Sequence, residues 1–390
     1  MNNKLQTTLI IIGSFFIFFM FGFLDNLRGP LIPEIIKDLN LRYSLIGNML
    51  FMQYIGFLAA TIGTGFLSYK FGLKPILTIA LALLFAGIAL IAGIPQYFIL
   101  IITFLILGLG LGLLEIACHN IIILSISQKI GMFLNLLGVC YGIGSMLAPL
   151  YAGSLLSNGI SWQNIYAICL LPIGILLLYH ILIRFPKFDQ KQEPSILSLI
   201  TTAFSSEMFW HYLGLCSYTA AEIGIAVWIV EYLNEIKGYN LFYSSLALSV
   251  YFGLITVGRL IGSFFVDRIG HLKMLLLVSV SAIFSITIGI YGPTQLAFLL
   301  PFTGFFFAII FPTITASFTN IKKPNIQNYL GFLFTFSGIG GMIGPWLIGV
   351  LGDRYQLANS MAVLILYLMI LVITVGILFF LERKTNAKNN

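Results

Sequence analysis

The sequence predicts an all-α membrane protein, with twelve transmembrane helices in two parallel-repeat six-helix bundles. Hydrophobic residues make up 59 % of the 390-residue chain and charged residues only 8 %, whereas roughly a quarter of the residues in soluble domains are charged. The apolar runs are continuous and long enough for membrane helices, which need about 20 such residues. A β-barrel is excluded, because barrel strands alternate in polarity over about 10 residues.

Glycine, proline, asparagine and charged residues separate the apolar runs and define the predicted helices. The first run follows Lys4 and resembles a signal peptide, but no small-residue cleavage site follows it, so we interpret it as the first span. The predicted spans are residues 7–36, 44–68, 74–94, 97–126, 130–156, 162–184, 208–234, 241–266, 272–292, 295–319, 326–351 and 357–381.

The longest polar interval in the chain, Arg184 to Ser206, divides these helices into two sets of six. We therefore predict an N-terminal six-helix bundle at residues 1–186, a cytoplasmic linker at 187–206 and a C-terminal six-helix bundle at 207–390. The termini and even-numbered loops contain fourteen basic residues, and the odd-numbered loops contain four. Because Lys and Arg are enriched in cytoplasmic loops, both termini are predicted to lie in the cytoplasm, with the helices in the inner (plasma) membrane.

An internal repeat relates the two halves of the sequence. Residues 142–153, GIGSMLAPLYAG, and residues 338–349, GIGGMIGPWLIG, are identical at six of twelve positions. Two further pairs of segments recur at nearly the same offset. The copies lie six helices apart and therefore start on the same side of the membrane, so the repeat is parallel. Parallel halves with a site between them at the midplane are typical of secondary transporters.

Ionisable side chains inside the predicted helices are few, and such residues mark function by default because lipid does not solvate them. Asp25 and Arg28 share one helical face, as do Glu115 and His119. A carboxyl group that moves between wet and dry surroundings binds or releases a proton. We predict that Asp25 or Glu115 carries a coupling proton, with Arg28 as a competing partner and His119 as a relay or ligand. The alternatives are a static ion pair between helices one and four, and a histidine that only bonds to Glu115.

The second half contains Glu222, 197 positions after Asp25, with Tyr218 one turn before it. These positions suit hydrogen bonding to a small polar solute, although Glu222 could instead be a structural acid. Arg259 is interpreted as a structural cation. Pro312 predicts a kink or break in helix ten, whose freed carbonyl would line a cavity or serve packing only. The stripe of small residues before Glu115 predicts the close approach of another helix; it consists of Gly108, Gly110 and Gly112.

Several motifs resemble the major facilitator superfamily and, within it, the fucose/glucose/galactose proton symporter family. The loop signature of the superfamily, Gly-x-x-x-Asp-Arg-x-Gly, is similar to Gly65–Gly72, with Tyr69 in the acidic place, and to the end of helix eight. The resemblance implies the major facilitator fold and a role in conformational gating for the loop residues Gly65, Lys70, Gly72, Asp267, Arg268 and Gly270.

Further segments of both halves resemble the symporter family: Leu114-Glu115-Ile116-Ala117, Leu134-Asn135-Leu136, Tyr218 to Glu222 with Trp228, Gly258-Arg259 and Phe311-Pro312-Thr313-Ile314. By this resemblance, Glu115 would serve proton coupling and sugar binding. The polar face of helix five would contribute Asn135, and Asn26 and Tyr141 complete the predicted set of solute ligands.

The chain also departs from this family. The helix-one acid of the family would fall at Gly29, whereas this chain has Asp25 one turn earlier and adds Arg28. Gly138 and Tyr141 stand where the family has amides that bind sugar hydroxyls. A cationic side chain in the cavity leaves room for a carboxylated or phosphorylated solute.

The expected activity is proton-driven uptake of a small polar solute, a sugar, by alternating access. One alternative is an exporter that exchanges protons for an amphipathic or anionic compound, and sodium is an alternative coupling ion. The sequence has no HExxH, GxSxG or Walker motif, so an enzyme is not expected. A purely structural scaffold would not need the intramembrane acids. We expect a monomer in the lipid bilayer without a cofactor or metal, and no binding of nucleic acid, because the basic residues form no stripe.

Overall fold

A computed structural model describes residues 3–126, 129–183, 185, 204–321, 323 and 326–389. Every regular element within these ranges is helical, and twelve segments are long and apolar enough to cross a membrane. Large apolar side chains such as Phe98, Leu182 and Phe264 are exposed on the helix surfaces, as expected where lipid tails surround the helices. The prediction of twelve spans in a multi-pass membrane protein is therefore confirmed.

The first half contains six helices, and their bounds agree with the predicted spans to within a few residues. Within this half, α1 packs on α5, α2 packs on α4, and α3 packs on both α4 and α6. The helices are α1 (Asn3–Leu39), α2 (Tyr43–Phe71), α3 (Leu73–Gly93), α4 (Tyr97–Ser125), α5 (Ile130–Ser157) and α6 (Trp162–Leu182).

The second half repeats this pattern of pairing. Here α7 packs on α12 and α13, and α9 packs on α10 and α13. The helices are α7 (Ser206–Glu231), α8 (Leu241–Ile269), α9 (His271–Tyr291), α10 (Leu299–Phe307), α11 (Ile310–Thr319), α12 (Leu330–Ser360) and α13 (Val363–Asn389). A π-helical turn, Tyr232–Ile236, extends α7, and α10 and α11 together form the tenth span.

The chain divides into two compact units, residues 1–193 with 240–249, and residues 194–239 with 250–390. The predicted linker at 187–206 lies outside the described residues, apart from 204–206. The predicted bundle limits at residues 186 and 207 therefore remain predictions.

The repeated glycine-rich segments perform the same packing task in each unit. Gly144 lies so close to α1 that a Cβ atom there would collide with the carbonyl of Phe19. A Cβ atom at Gly340 on α12 would collide in the same way with the carbonyl of Cys216 on α7. Small residues permit such close backbone approach between membrane helices, so the sequence repeat corresponds to a repeat in packing.

The glycine stripe of α4 also has the predicted role. A Cβ atom at Gly108 would collide with the carbonyl of Gln53 on α2, and one at Gly112 would lie 2.6 Å from the carbonyl of Phe57. The α2 backbone can therefore approach α4 only because these positions lack side chains.

We expect Gly144→Ala to destabilise the first unit, because the new methyl group would force α5 away from α1. Overpacking of this kind costs about 1–3 kcal/mol. Gly138→Ala on the same helix is the matched control, since no atom lies within 4 Å of an added Cβ there. Thermal unfolding in detergent should show a lower melting temperature for Gly144→Ala only, and equal melting temperatures for the two variants would contradict the close contact of α5 with α1.

The break predicted in the tenth span is observed, whereas the predicted end of the eleventh span is wrong. The tenth span is broken at Ala308 and Ile309, one turn before Pro312, because proline lacks the N–H that would bond to the carbonyl four residues earlier and its ring clashes with that carbonyl. The eleventh span was predicted to end at residue 351, but α12 continues to Ser360. Its real interruption is Gln356, whose φ of 66° is left-handed.

Candidate functional site

Asp25 is the centre of a polar network inside the first unit. Its Oδ1 atom lies 3.1 Å from Nη1 of Arg28 and accepts a hydrogen bond of 3.2 Å from Nε2 of Gln53 on α2. Its Oδ2 atom accepts a hydrogen bond of 3.2 Å from the Tyr141 hydroxyl on α5. Every partner offers a hydrogen or a positive charge, so the network is complementary to a carboxylate.

Two predicted solute ligands, Asn26 and Tyr141, belong to this network. Nδ2 of Asn26 donates to the carbonyl of Gly22 and to Oγ of Ser145, each at 2.9 Å, and lies 3.3 Å from the Tyr141 hydroxyl. The Tyr141 hydroxyl thus has one partner in Asn26 and another in Asp25. Both side chains join α1 to α5, and their polar atoms are already hydrogen-bonded within the bundle.

Arg28 is buried within the first unit, with 4 % of its surface exposed. The Tyr54 ring faces its guanidinium group, with 5.7 Å between Cζ and the ring centroid, a distance at which the ring attracts the cation. The alternative of a static ion pair between helices one and four is wrong, because the two charged partners lie on the same helix. Asp25 and Arg28 both lie on α1, pair with each other, and contact α2 and α5 instead.

Glu115 lies on α4 and is partly exposed. Within the described part of the chain, its carboxyl group has no hydrogen bond and no ion pair, and Asp25 is the charged group that acts on it. His119 lies one turn later, but its Nδ1 contacts the main-chain carbonyl of Glu115 at 2.8 Å rather than the carboxyl group. Because a carbonyl only accepts, Nδ1 carries the hydrogen and Nε2 is the acceptor in the neutral ring.

Asn135 differs from the other predicted ligands of the first unit because its side chain is exposed. It has no hydrogen bond to another residue in the described ranges. Gly138 lies one turn later on the same helix, and nothing lies within 4 Å of a Cβ atom built there. This part of α5 therefore presents an amide beside open space.

Of the two predicted ligands in the second unit, Tyr218 contacts the break in the tenth span. The Tyr218 hydroxyl donates to the carbonyl of Phe307, the last residue of α10, at 3.0 Å. The Tyr251 hydroxyl donates to the main-chain carbonyl of Glu222 at 3.2 Å. The Glu222 carboxyl group interacts with Tyr218 and with the charge of Arg259, which is itself exposed. The carbonyl of the last residue before the break is thus bonded to a predicted solute ligand.

We expect Tyr218→Phe to destabilise the second unit, because it leaves the Phe307 carbonyl without its donor in an apolar environment. An orphaned buried acceptor costs about 1–3 kcal/mol. Tyr97→Phe is a suitable control, since the Tyr97 hydroxyl lies 3.5 Å from its acceptor, where a hydrogen bond is marginal. Thermal unfolding of the two purified variants compares them, and a Tyr218→Phe protein as stable as the control would show that this bond is dispensable.

The predicted gating loops follow α2 and α8. Gly72 has φ of 82° and Gly270 has φ of 95°, so both turns require a conformation that favours glycine. Lys70 and Arg268 are exposed beside them. Gly65 and Asp267 lie on α2 and α8, and their surroundings are outside the described side chains, so the gating role remains a prediction for all six residues.

Sequence reasoning passed over several polar residues of these sites. Gln53 and Tyr54 on α2 contact Asp25 and Arg28 directly, and an amide inside an apolar helix was the available signal. Glu231 near the end of α7 is another omitted acid, with 2 % of its surface exposed. It lies inside the predicted seventh span, and a carboxyl group within an apolar run is the sequence signal for it.

Known proteins resemble the chain along almost its entire length. A putative glucose/galactose transporter of Helicobacter pylori strain J99 is 25 % identical, and the alignment covers 100 % of both chains. The L-fucose-proton symporter of Escherichia coli is 23 % identical, over 80 % of this chain and 76 % of that protein. A crystal structure of the nucleoside transporter NupG has a TM-score of 0.80 at 16 % identity, covering 97 % of this chain and all of that one.

Both units match the same protein family. The Major Facilitator Superfamily matches residues 14–316 and 245–390, which together cover α1 from residue 14 onward and all the other described transmembrane helices. The twelve spans, the repeated helix pairing and this match agree with one another. The chain belongs to the major facilitator superfamily and is a membrane transporter.

Proposed function

We propose that the protein is a proton-coupled symporter that takes up a small neutral sugar by alternating access. It would act as a monomer in the inner membrane. Both termini would lie in the cytoplasm, because basic residues are in excess in the termini and even-numbered loops. The two halves would be the moving bodies of such a transporter.

The observation that carries the proposal is the contrast between two carboxyl groups. Asp25 has a cation and two hydrogen-bond donors, whereas Glu115 has no such partner in the described part of the chain. A proton carrier must change its charge in each cycle. Glu115 could do so without breaking an ion pair, while protonation of Asp25 would disrupt the whole network. Glu115 is therefore the proposed proton carrier, and His119 Nε2 is an acceptor one turn away.

The charge distribution favours a neutral solute over an anionic one. Arg28, the cation that made a carboxylated or phosphorylated solute conceivable, is buried and compensated by Asp25. Binding an anion through Arg28 would require its release from that pair, at a cost in desolvation and hydrogen bonding. The exposed amide of Asn135 suits a hydroxyl group instead.

The proposal of a sugar rests on relatives as well as on these side chains. One relative is named a putative glucose/galactose transporter and another an L-fucose-proton symporter. Sugars are neutral and rich in hydroxyl groups, so binding one does not require a cation in the site.

Transport into right-side-out vesicles tests this function. A thermal-shift screen of sugars and organic acids first identifies a ligand, because a compound that binds the folded state raises its melting temperature. An inward proton gradient should then concentrate the labelled sugar, and an inward sodium gradient alone should not. Expulsion of the compound under the same gradient would favour the exporter, and accumulation driven by sodium would replace the proposed coupling ion.

A further inference from the structure

A small internal cavity lies within the first unit, among α1, α2, α3, α4 and α6. Its volume is about 10 Å³, roughly the space that one water molecule needs. Leucine, isoleucine and phenylalanine side chains form most of the wall. Arg28, Gln53 and Tyr166 are its polar residues.

Two of the residues that line the cavity each carry a buried polar atom without a hydrogen-bond partner in the described part of the chain: Nη1 of Arg28 and Oε1 of Gln53. The Arg28 side chain and Gln53 are each 5 % exposed. Nη1 is close to Asp25 as an ion pair, but no hydrogen bond is formed there. Buried polar groups of folded proteins are nearly always hydrogen-bonded to protein or to ordered water. One donor and one acceptor on the same small cavity therefore need an explanation.

The orientation of the Gln53 amide follows from its other contact. Nε2 donates to the Asp25 carboxylate at 3.2 Å, and a carboxylate only accepts. A flipped amide would place two acceptors against each other, so Oε1 must be the atom that Asp25 does not bind. The cavity site thus combines a charged donor, Nη1, with a carbonyl-type acceptor, Oε1.

We infer that Arg28 and Gln53 bind a single buried water molecule, which accepts a hydrogen bond from Nη1 and donates one to Oε1. A chloride ion cannot donate to Oε1, and a sodium ion would face the positive charge of Arg28. Water satisfies both atoms and fits the volume of the cavity. The site therefore selects water over either ion by charge, hydrogen bonding and size.

This water closes a ring of interactions between α1 and α2. From Asp25 the ring passes through the Gln53 amide to the water, then to the Arg28 guanidinium and back to Asp25. It links the ion pair on α1 to Gln53 on α2. The inference is independent of the transported solute and of the coupling ion, so it survives if the proposed symport activity is wrong.

An experimental map that resolves ordered water elsewhere in the purified protein tests the site. We expect a density peak at about 2.7–3.2 Å from both Nη1 and Oε1, the ordinary range for such bonds. An empty cavity, or a peak that contacts Arg28 alone, would overturn the inference.

Variants add an independent comparison. Gln53→Leu removes the acceptor and should lose the peak. Thr103→Val is the control, because the Thr103 hydroxyl is also buried on α4 and lacks a partner among the described residues, but it does not line the cavity. Persistence of the peak in Gln53→Leu would also overturn the inference. If that variant does not fold, the peak in the unaltered protein still decides the matter.

Discussion

Vesicles that contain Glu115→Gln are expected to equilibrate the sugar but not to concentrate it. The amide resembles the protonated acid in shape and charge, so binding and exchange persist while the proton can no longer be loaded and released. A potential of about 100 mV supplies about 2.3 kcal/mol per charge moved inward, which corresponds to roughly 40- to 50-fold accumulation of a neutral solute. The variant should reduce this ratio to about one, as measured by uptake of labelled sugar and by counterflow.

The control for this experiment is Glu235→Gln, which removes an exposed carboxyl group from the π-helical turn after α7. It should accumulate the sugar as well as the unaltered protein does. If Glu115→Gln also accumulates the sugar with an unchanged dependence on pH, then Glu115 is not the coupling residue.

The second large effect is expected from Asp25→Asn, which should lower the stability of the protein by about 3–5 kcal/mol. Removal of one partner leaves Arg28 as a buried charge without compensation, and that penalty is characteristic of broken buried ion pairs. The double variant Asp25→Asn/Arg28→Gln removes both charges and should recover most of the loss. Unfolding of the single and double variants forms a double-mutant cycle that measures the coupling.

The same double variant separates the two candidate proton carriers. If the ion pair is a fixed structural element, the double variant should still accumulate the sugar in a proton gradient, although with less protein in the membrane. Loss of accumulation in a double variant that folds and exchanges sugar would instead assign proton coupling to Asp25.

The fold could be predicted almost entirely from the sequence because its signals are long. A span of about 20 apolar residues is hard to misread, and the twelve predicted spans correspond to the twelve observed ones. Pro312 located the break in helix ten to within one turn, since the effect of proline on the preceding turn is local. The end of α12 was misjudged because Asp353 and Arg354 suggested a loop, although charged side chains can be exposed at a helix end without ending the helix.

The candidate sites were less predictable, because spacing along one helix says little about contacts with others. The sequence placed Asp25 near Arg28 and Glu115 near His119 by helical periodicity. It could not reveal that Gln53 approaches Asp25 from α2, or that His119 bonds to the main chain of Glu115 rather than to its carboxyl group. These contacts depend on the packing of α1, α2 and α4, which only the tertiary structure provides.

Proton movement caused by the sugar itself tests the central claim most directly. The identified sugar is added to a lightly buffered suspension of de-energised right-side-out vesicles while the external pH is recorded. Symport predicts that the external pH rises as protons enter with the sugar, and that Glu115→Gln vesicles give no rise. Entry of the sugar into vesicles of the unaltered protein with a fall in external pH, or with no change, would contradict proton symport.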